Sequence, residues 1–181
     1  MQIASIAVLS DQPDLAATAA AADSFWRFSL SIYARPGVAE ALIALQDRDG
    51  CDVNMVLFAL WSGAVGRRRL GPDDVAAART AIAGLVADIV APLRRLRRTL
   101  RPAPDADFQE MRHRVLGLEL VAERAVQRRL ATTLVAWDVA VAAGDRRAVA
   151  DANLVACVGA EAAASLEAER LRTVLVELTR A

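Results

Sequence analysis

The chain has 181 residues, with 24% charged and 55% hydrophobic side chains and a formal net charge of zero. This is a globular composition, long enough for one domain with a real core, and it excludes a disordered chain. Two cysteines without a CxxC pattern are too few for a disulfide framework or a zinc site and fit free thiols in a cytoplasmic protein.

Ala makes up roughly a fifth of the chain, and Ala is the best helix former. All 22 basic residues are Arg, which reads as GC-rich coding. Their placement is uneven. Residues 1–66 hold three Arg against seven acids, residues 67–101 nine against three, and the remainder ten against twelve, for nets of −4, +6 and −2. So basic a middle segment is either an anion-binding face or the partner of acidic segments in the same fold, and the zero total favours the second. The opening MQIASIAVLS is a poor signal peptide, having no basic residue before its short apolar run. No stretch approaches the roughly 18–20 apolar residues of a membrane span. The expectation is a soluble cytoplasmic protein with no membrane partner.

Asp11 and Pro13 mark a first helix start, followed by an Ala-rich stretch to Ala22 with little to bury. Residues 1–23 read as an extension to a bundle domain of residues 24–181. Ser24 can cap a helix over 25–34, with Phe25, Phe28 and Ile32 on one face and Trp26, Leu30 and Tyr33 on the next. Pro36-Gly37 breaks it. A short helix over 38–46 turns Val38, Ala41, Leu42 and Leu45 inward, and Gly50 closes the following turn at positive φ. Asp52 caps the segment Val53 to Val65, which is apolar on every side. A helix apolar all round is a buried helix, so the rest of the chain should pack around it.

Pro72-Asp73-Asp74 opens a long helix to about Leu100, with Val75, Ile82, Leu85, Ile89, Leu93 and Leu96 at apolar positions. Pro92 should kink or split it near Val90. Asp105 or Asp107 caps a second long helix, Phe108 to about Val141, with Phe108, Met111, Val115, Leu118, Ala122 and Ala125 at helical spacing. Two further helical stretches, 146–160 and 161–180, end the chain. No segment alternates like a strand and no solenoid repeat occurs. The fold class is therefore all-α, a single-domain bundle of five to eight helices around helix 53–65.

Phe25-Trp26, Ser29, Tyr33, Gly37-Val38, Leu45-Gln46-Asp47, Gly50, Asp52-Val53-Asn54 and Trp61 form a pattern that resembles the leading motif of a bacterial family. That family is known only as a domain of unknown function of small all-helical proteins. Pro92-Leu93-Arg94 with Arg97-Arg98, and the run Glu119 to Arg124, resemble its later motifs, so the resemblance spans roughly residues 24–155. It implies an all-helical fold in a bacterial cytoplasm and brings no activity and no catalytic residues.

Arg94, Arg97, Arg98 and Arg101 recur at i, i+3, i+4 and i+7 and line one helix face. Guanidinium groups suit bidentate phosphate or carboxylate contacts. With Arg67, Arg68 and Arg69 they define a surface for an acidic partner or a phosphate-containing ligand. Nucleic acid is disfavoured, because no aromatic residue interleaves with the arginines. The competing reading is a solvated face, or one paired with Glu119 and Glu123, which lie one turn apart on the next helix. A second constellation comprises Trp26, Tyr33, Gln46, Asn54 and Trp61, where aromatics and amides share one motif. It reads as the lining of a small-molecule pocket or as core packing, with Gln46 and Tyr33 as partners for Asn54.

Other patterns are incomplete. The loop with Asp47, Asp49 and Asp52 lacks the EF-hand positions and reads as a turn and cap. Glu110 and His113 have di-iron spacing, but His113 is the single His. Asp73-Asp74 lacks a third Asp, no GxSxG occurs, and Cys51 has no base beside it. No cofactor and no metal site are expected. Two readings stand. The first is a non-enzymatic interaction or regulatory protein using the Arg surface. The second is a small-molecule-binding or enzymatic bundle using the pocket. Homo-oligomerisation through the Ala-rich helix and Leu171, Leu175 and Leu178 is compatible with both.

Overall fold

The computed structural model describes residues 15–65, 68–102, 105–135 and 146–180. The helix start expected at Asp11 and Pro13, Arg67, and the extension of the second long helix to Val141 lie outside those residues. Eight helices and no strand occur among the described residues, so the fold is all-α. They are α1 (Leu15–Tyr33), α2 (Val38–Asp49), α3 (Val53–Ala64), α4 (Pro72–Thr99), α5 (Ala106–Val135), α6 (Arg146–Val158), α7 (Ala160–Ala163) and α8 (Leu166–Arg180).

Local chemistry sets most boundaries. Gly37 and Gly50 flank α2 at φ 78° and 67°, a region that an L side chain rarely enters. Asp52 accepts the Met55 N–H at 3.1 Å and starts α3. The Asp74 carboxylate accepts the Gly71 N–H at 2.7 Å and holds the start of α4, where Pro72 needs no donor. Gly159 at φ 85° ends α6, and the Ser165 hydroxyl accepts the Ala168 N–H at 3.2 Å to begin α8.

Every residue of α3 from Val53 to Gly63 is buried. Around it pack α1, α2, α5, α6 and α8, which contribute Phe25, Ile32, Leu42, Leu45, Leu130, Leu154 and Leu171 to one core. Phe25 stacks on Trp61 at 4.9 Å between ring centroids, with Phe58 tilted against both. Fully burying a side chain of this size is worth about 1.5–3 kcal/mol, so this cluster alone outweighs any single surface contact in the chain.

Helices α3 and α6 cross in close backbone contact at Gly63. A methyl group built on Gly63 would lie 2.3 Å from the Ala150 nitrogen and 2.4 Å from its Cα. Beside this crossing sits Asn153, fully buried. Its Oδ1 accepts the Leu70 N–H at 2.7 Å, and its Nδ2 lies within 3.3 Å of the Ala59 carbonyl, the Ser62 hydroxyl and the Arg68 carbonyl. One side chain thus ties the connection between α3 and α4 to α6.

Three expectations change. The helix expected to start at Ser24 instead continues from Leu15, and Ala21 and Ala22 are part of the core. Ser24 is therefore mid-helix, where its hydroxyl accepts the Trp61 indole N–H at 3.2 Å. Pro92 disturbs α4 near Val90, as expected, but does not split it. The α pattern gives way to a π turn over Val86–Val90, closed by the Ala91 N–H bonding back to the Val86 carbonyl, and resumes at Ala91. Pro72–Thr99 is long and apolar enough to cross a membrane by length and composition alone, where no such stretch was expected. Leu171 and Leu175 are buried and Leu178 packs on the core, so they form no exposed oligomer surface.

Gly63→Ala should destabilise the fold by about 3 kcal/mol or more, because the obstructing atoms are backbone and cannot turn away. Gly117→Ala, whose methyl would meet nothing within 4 Å in the middle of α5, should stabilise it by about 0.5–1 kcal/mol. Urea denaturation of both variants checks this pair, with the midpoint moving in opposite directions and the slope unchanged.

Candidate functional site

The α5 helix carries three sets of side chains that matter for function. Along its 30 residues it packs against both α1 and the basic end of α4.

The first set is an ion network. Arg94 donates to Glu123 at 2.6 Å, and Arg97 donates to the two oxygens of Glu119 at 2.5 and 3.2 Å. The Arg94 Nε also lies 3.5 Å from Glu119. Glu119 is buried, so its carboxylate depends on these cations. Burial works against the charge on Arg94, but the bond to Glu123 and the charges of Glu123, Asp52 and Glu119 outweigh it and hold its pKa above the ordinary value. The bond to Glu119 does the same for Arg97. The four-residue stripe is thus divided: Arg94 and Arg97 turn inward to α5, while Arg98 and Arg101 are exposed. Arg68 pairs with Asp74 at 2.9 Å, and Arg69 is exposed.

The second set lines a cleft of roughly 210 Å³ between α1, α3 and α5. Its walls are Trp26, Ser29, Leu30 and Tyr33 from α1, Val53 and Asn54 from α3, and Leu120, Glu123 and Gln127 from α5. The structure brings Trp26, Tyr33 and Asn54 together here and leaves out the other two expected residues. Trp61 is fully buried against Phe25, and Gln46 points to α4, where its Oε1 accepts from Arg94 at 3.0 Å. Asn54 is also not paired with Gln46 or Tyr33. Its Oδ1 accepts from Gln127 Nε2 at 3.1 Å, and the Gln127 Oε1 lies 3.2 Å from the Ser29 hydroxyl. That hydroxyl is also 3.0 Å from the Phe25 carbonyl, so its single proton serves one acceptor at a time. Ser29, Asn54 and Gln127 are all buried.

Tyr33 is exposed as a whole residue and stands in the wall of the cleft. Desolvation and then the Glu123 charge push its pKa up from 10.0 to about 12, against the opposing pull of Arg94. The phenol therefore keeps its proton and acts as a donor at neutral pH. Arg124 caps the Trp26 ring at 5.6 Å without being a wall of the cleft.

The third set is an apolar groove of about 490 Å³ between α4 and α5, lined by Leu85, Asp88, Ile89, Pro92 and Leu93 on one side and Leu118, Val121, Ala122 and Ala125 on the other. The stripe read at helical spacing on this helix is partly uncovered: Leu118 is 58% exposed, Phe108 and Met111 are exposed as well, and Val121 beside them is 68% exposed. The signal was present in the sequence. Val115, Leu116, Leu118, Leu120, Val121 and Ala122 spread over more of the helix circumference than one core contact can cover. Gln127, Ser29 and Asn153 carried no such signal, because a lone amide or hydroxyl in a helix does not announce its partner.

The structure thus defines an all-helical bundle with a basic, partly apolar flank. The chain matches the family DUF2390, described as a protein of unknown function, over residues 24–130, and it belongs to that family. The match contains the aromatic motif and the α4 and α5 motifs but stops short of the expected end near residue 155. Neither a curated protein nor a solved structure matches the chain.

Tyr33 is the only tyrosine, so its absorbance at 295 nm reports one group. The midpoint should lie near 12 in the native protein and near 10.0 in urea. A folded pKa above the unfolded one means that the associated stability is fully present below pH 10 and is lost as pH rises towards 12. A native midpoint at 10 would place the hydroxyl in bulk water.

Proposed function

We propose that this protein is a non-enzymatic interaction protein of the bacterial cytoplasm, and that the groove between α4 and α5 takes an acidic amphipathic helix from a partner protein. The observation that carries the reading is an uncovered apolar groove with a cationic rim. Ile89, Leu118 and Val121 are 47%, 58% and 68% exposed along it. Arg128 and Arg129 follow Ala125 by one helical turn at one end, Arg95 follows Pro92 at the other, and all three are exposed. Asp88 is the single acid in the lining.

Charge complementarity selects the occupant. An acidic helix with an apolar face buries Ile89, Leu118 and Val121 and answers the rim cations, a mode of recognition in which the groove supplies affinity and the rim supplies specificity and speed. Arg98 and Arg101, on the same basic helix, extend the attraction beyond the groove. Arg94 and Arg97 are committed to Glu119 and Glu123 and are better read as supports of the groove wall than as ligands. A concave channel between two helices suits a helix better than a flat lipid surface.

The test uses a labelled amphipathic peptide of about five turns, Leu on one face and Glu on the other, beside a Lys-for-Glu counterpart and anionic vesicles. The acidic peptide should bind, and raising salt from about 50 to 500 mM should weaken it at least about tenfold. Val121→Asp, or Arg128→Glu with Arg129→Glu, should each weaken it by about tenfold or more. Equal binding of the Lys peptide, indifference to Val121→Asp, or preference for vesicles would overturn the reading.

A further inference from the structure

We propose that the cleft between α1, α3 and α5 is a second site, for a small, flat, neutral ring that carries an amide-like edge, a carbonyl acceptor beside an N–H donor. It lies on the opposite side of α5 from the groove and does not depend on the docking reading.

The cleft has apolar sides and polar groups left over. Leu30, Val53 and Leu120 with the indole of Trp26 form walls that suit an aromatic or heteroaromatic face. Among the described residues, the Asn54 amide uses its oxygen on Gln127 and gives its NH₂ no protein acceptor, although Asn54 is buried and lines the cleft. The Tyr33 hydroxyl also finds no protein acceptor there. Glu123 uses Oε1 on Arg94, and its Oε2 receives no donor. Asn54, Tyr33 and Glu123, which carry two spare donors and one spare acceptor between them, all line the space of roughly 210 Å³. Neither the Asn54 NH₂ nor the Glu123 Oε2 is a buried unpartnered atom, so both are open to water, which a ligand with matching groups would replace. A ring with a C=O beside an N–H can accept from Asn54 or Tyr33 and donate to Glu123.

Charge excludes the alternatives. Glu123 is already neutralised by Arg94, Arg124 over the Trp26 ring is paired with Asp23, and Asp52 and Glu123 both act on the Tyr33 hydroxyl as acids. An anionic ligand meets that negative field, while a cationic ligand would compete with Arg94 for a carboxylate it holds at 2.6 Å. The volume lies below the roughly 300–1,000 Å³ of drug-sized pockets, which limits the ligand to about one ring and its substituents.

The experiment is ligand-observed saturation-transfer NMR on the full chain, with uracil, 2-pyridone and nicotinamide as neutral probes and orotate and nicotinate as anionic ones. The neutral rings should bind at about 1 mM or tighter, and the acids at least about tenfold more weakly. Tyr33→Phe should weaken neutral binding by about three- to tenfold through one lost hydrogen bond. Leu120→Trp or Leu30→Trp, both at exposed positions, should fill the cleft and abolish the signal while circular dichroism shows the fold retained. The proposal fails if no neutral ring gives transfer, if nicotinate and nicotinamide bind equally, or if binding survives in a folded Trp variant.

Discussion

Helix α3 is buried on all sides yet carries polar side chains at both ends, and the bundle is arranged so that each is answered. Asn54 near its start meets Gln127 of α5, and Ser62 near its end meets Asn153 of α6. An unpaired buried amide costs about 1–3 kcal/mol, comparable to the burial of a whole Leu side chain. Apolar packing alone would leave α3 free to slide or rotate within its sheath at modest cost. The two amide contacts, on different neighbours and at opposite ends, fix its register. The Gly63–Ala150 crossing adds a steric stop at the same end as Asn153.

The basic segment illustrates how magnitude separates two uses of one residue type. A run of guanidiniums on a helix reads as a binding surface until one asks what each side chain could reach. Glu119 is buried, and a buried carboxylate without a partner costs several kcal/mol, so the nearest arginines are bound to it first. Exposed arginines are held by nothing comparable, since a surface ion pair is worth at most about 1 kcal/mol. The same sequence repeat therefore yields two structural cations, Arg94 and Arg97, and leaves Arg98 and Arg101 to solvent.

The fold was legible in the sequence because it is written in local terms. The inward stripe of α2, the Asp52 cap, the left-handed Gly50 and the buried character of α3 all follow from residues within a turn of each other. The all-α class follows from their sum. The continuity of α4 was not legible, because whether a proline ends a helix or is absorbed by a π turn depends on the helix packed beside it. The same holds for the site. Trp26, Tyr33 and Asn54 could be grouped because aromatics and amides share one motif, but Trp61, which shares it too, goes to the core. Gln127 lies 73 residues from Asn54, and spacing along a chain holds no information about that pairing.

What remains is why α5 exposes so much apolar surface. Leu100 and Val115 are buried but stand apart from the main core, so the outer parts of α4 and α5 are held to each other more than to the bundle. A two-helix unit has only one interface and must leave its other faces uncovered, whatever their composition. Polar side chains would fill those faces at no cost to stability. Leu118 and Val121 stand there instead, facing Ile89 of α4, and an uncovered apolar stripe rimmed by charge is the composition of a surface that is covered part of the time. The ion network of Arg94, Arg97, Glu119 and Glu123 lies between this stripe and the cleft. It holds α4 against α5 with charged groups already paired to each other, which keeps the wall of both concavities in place without drawing on either occupant.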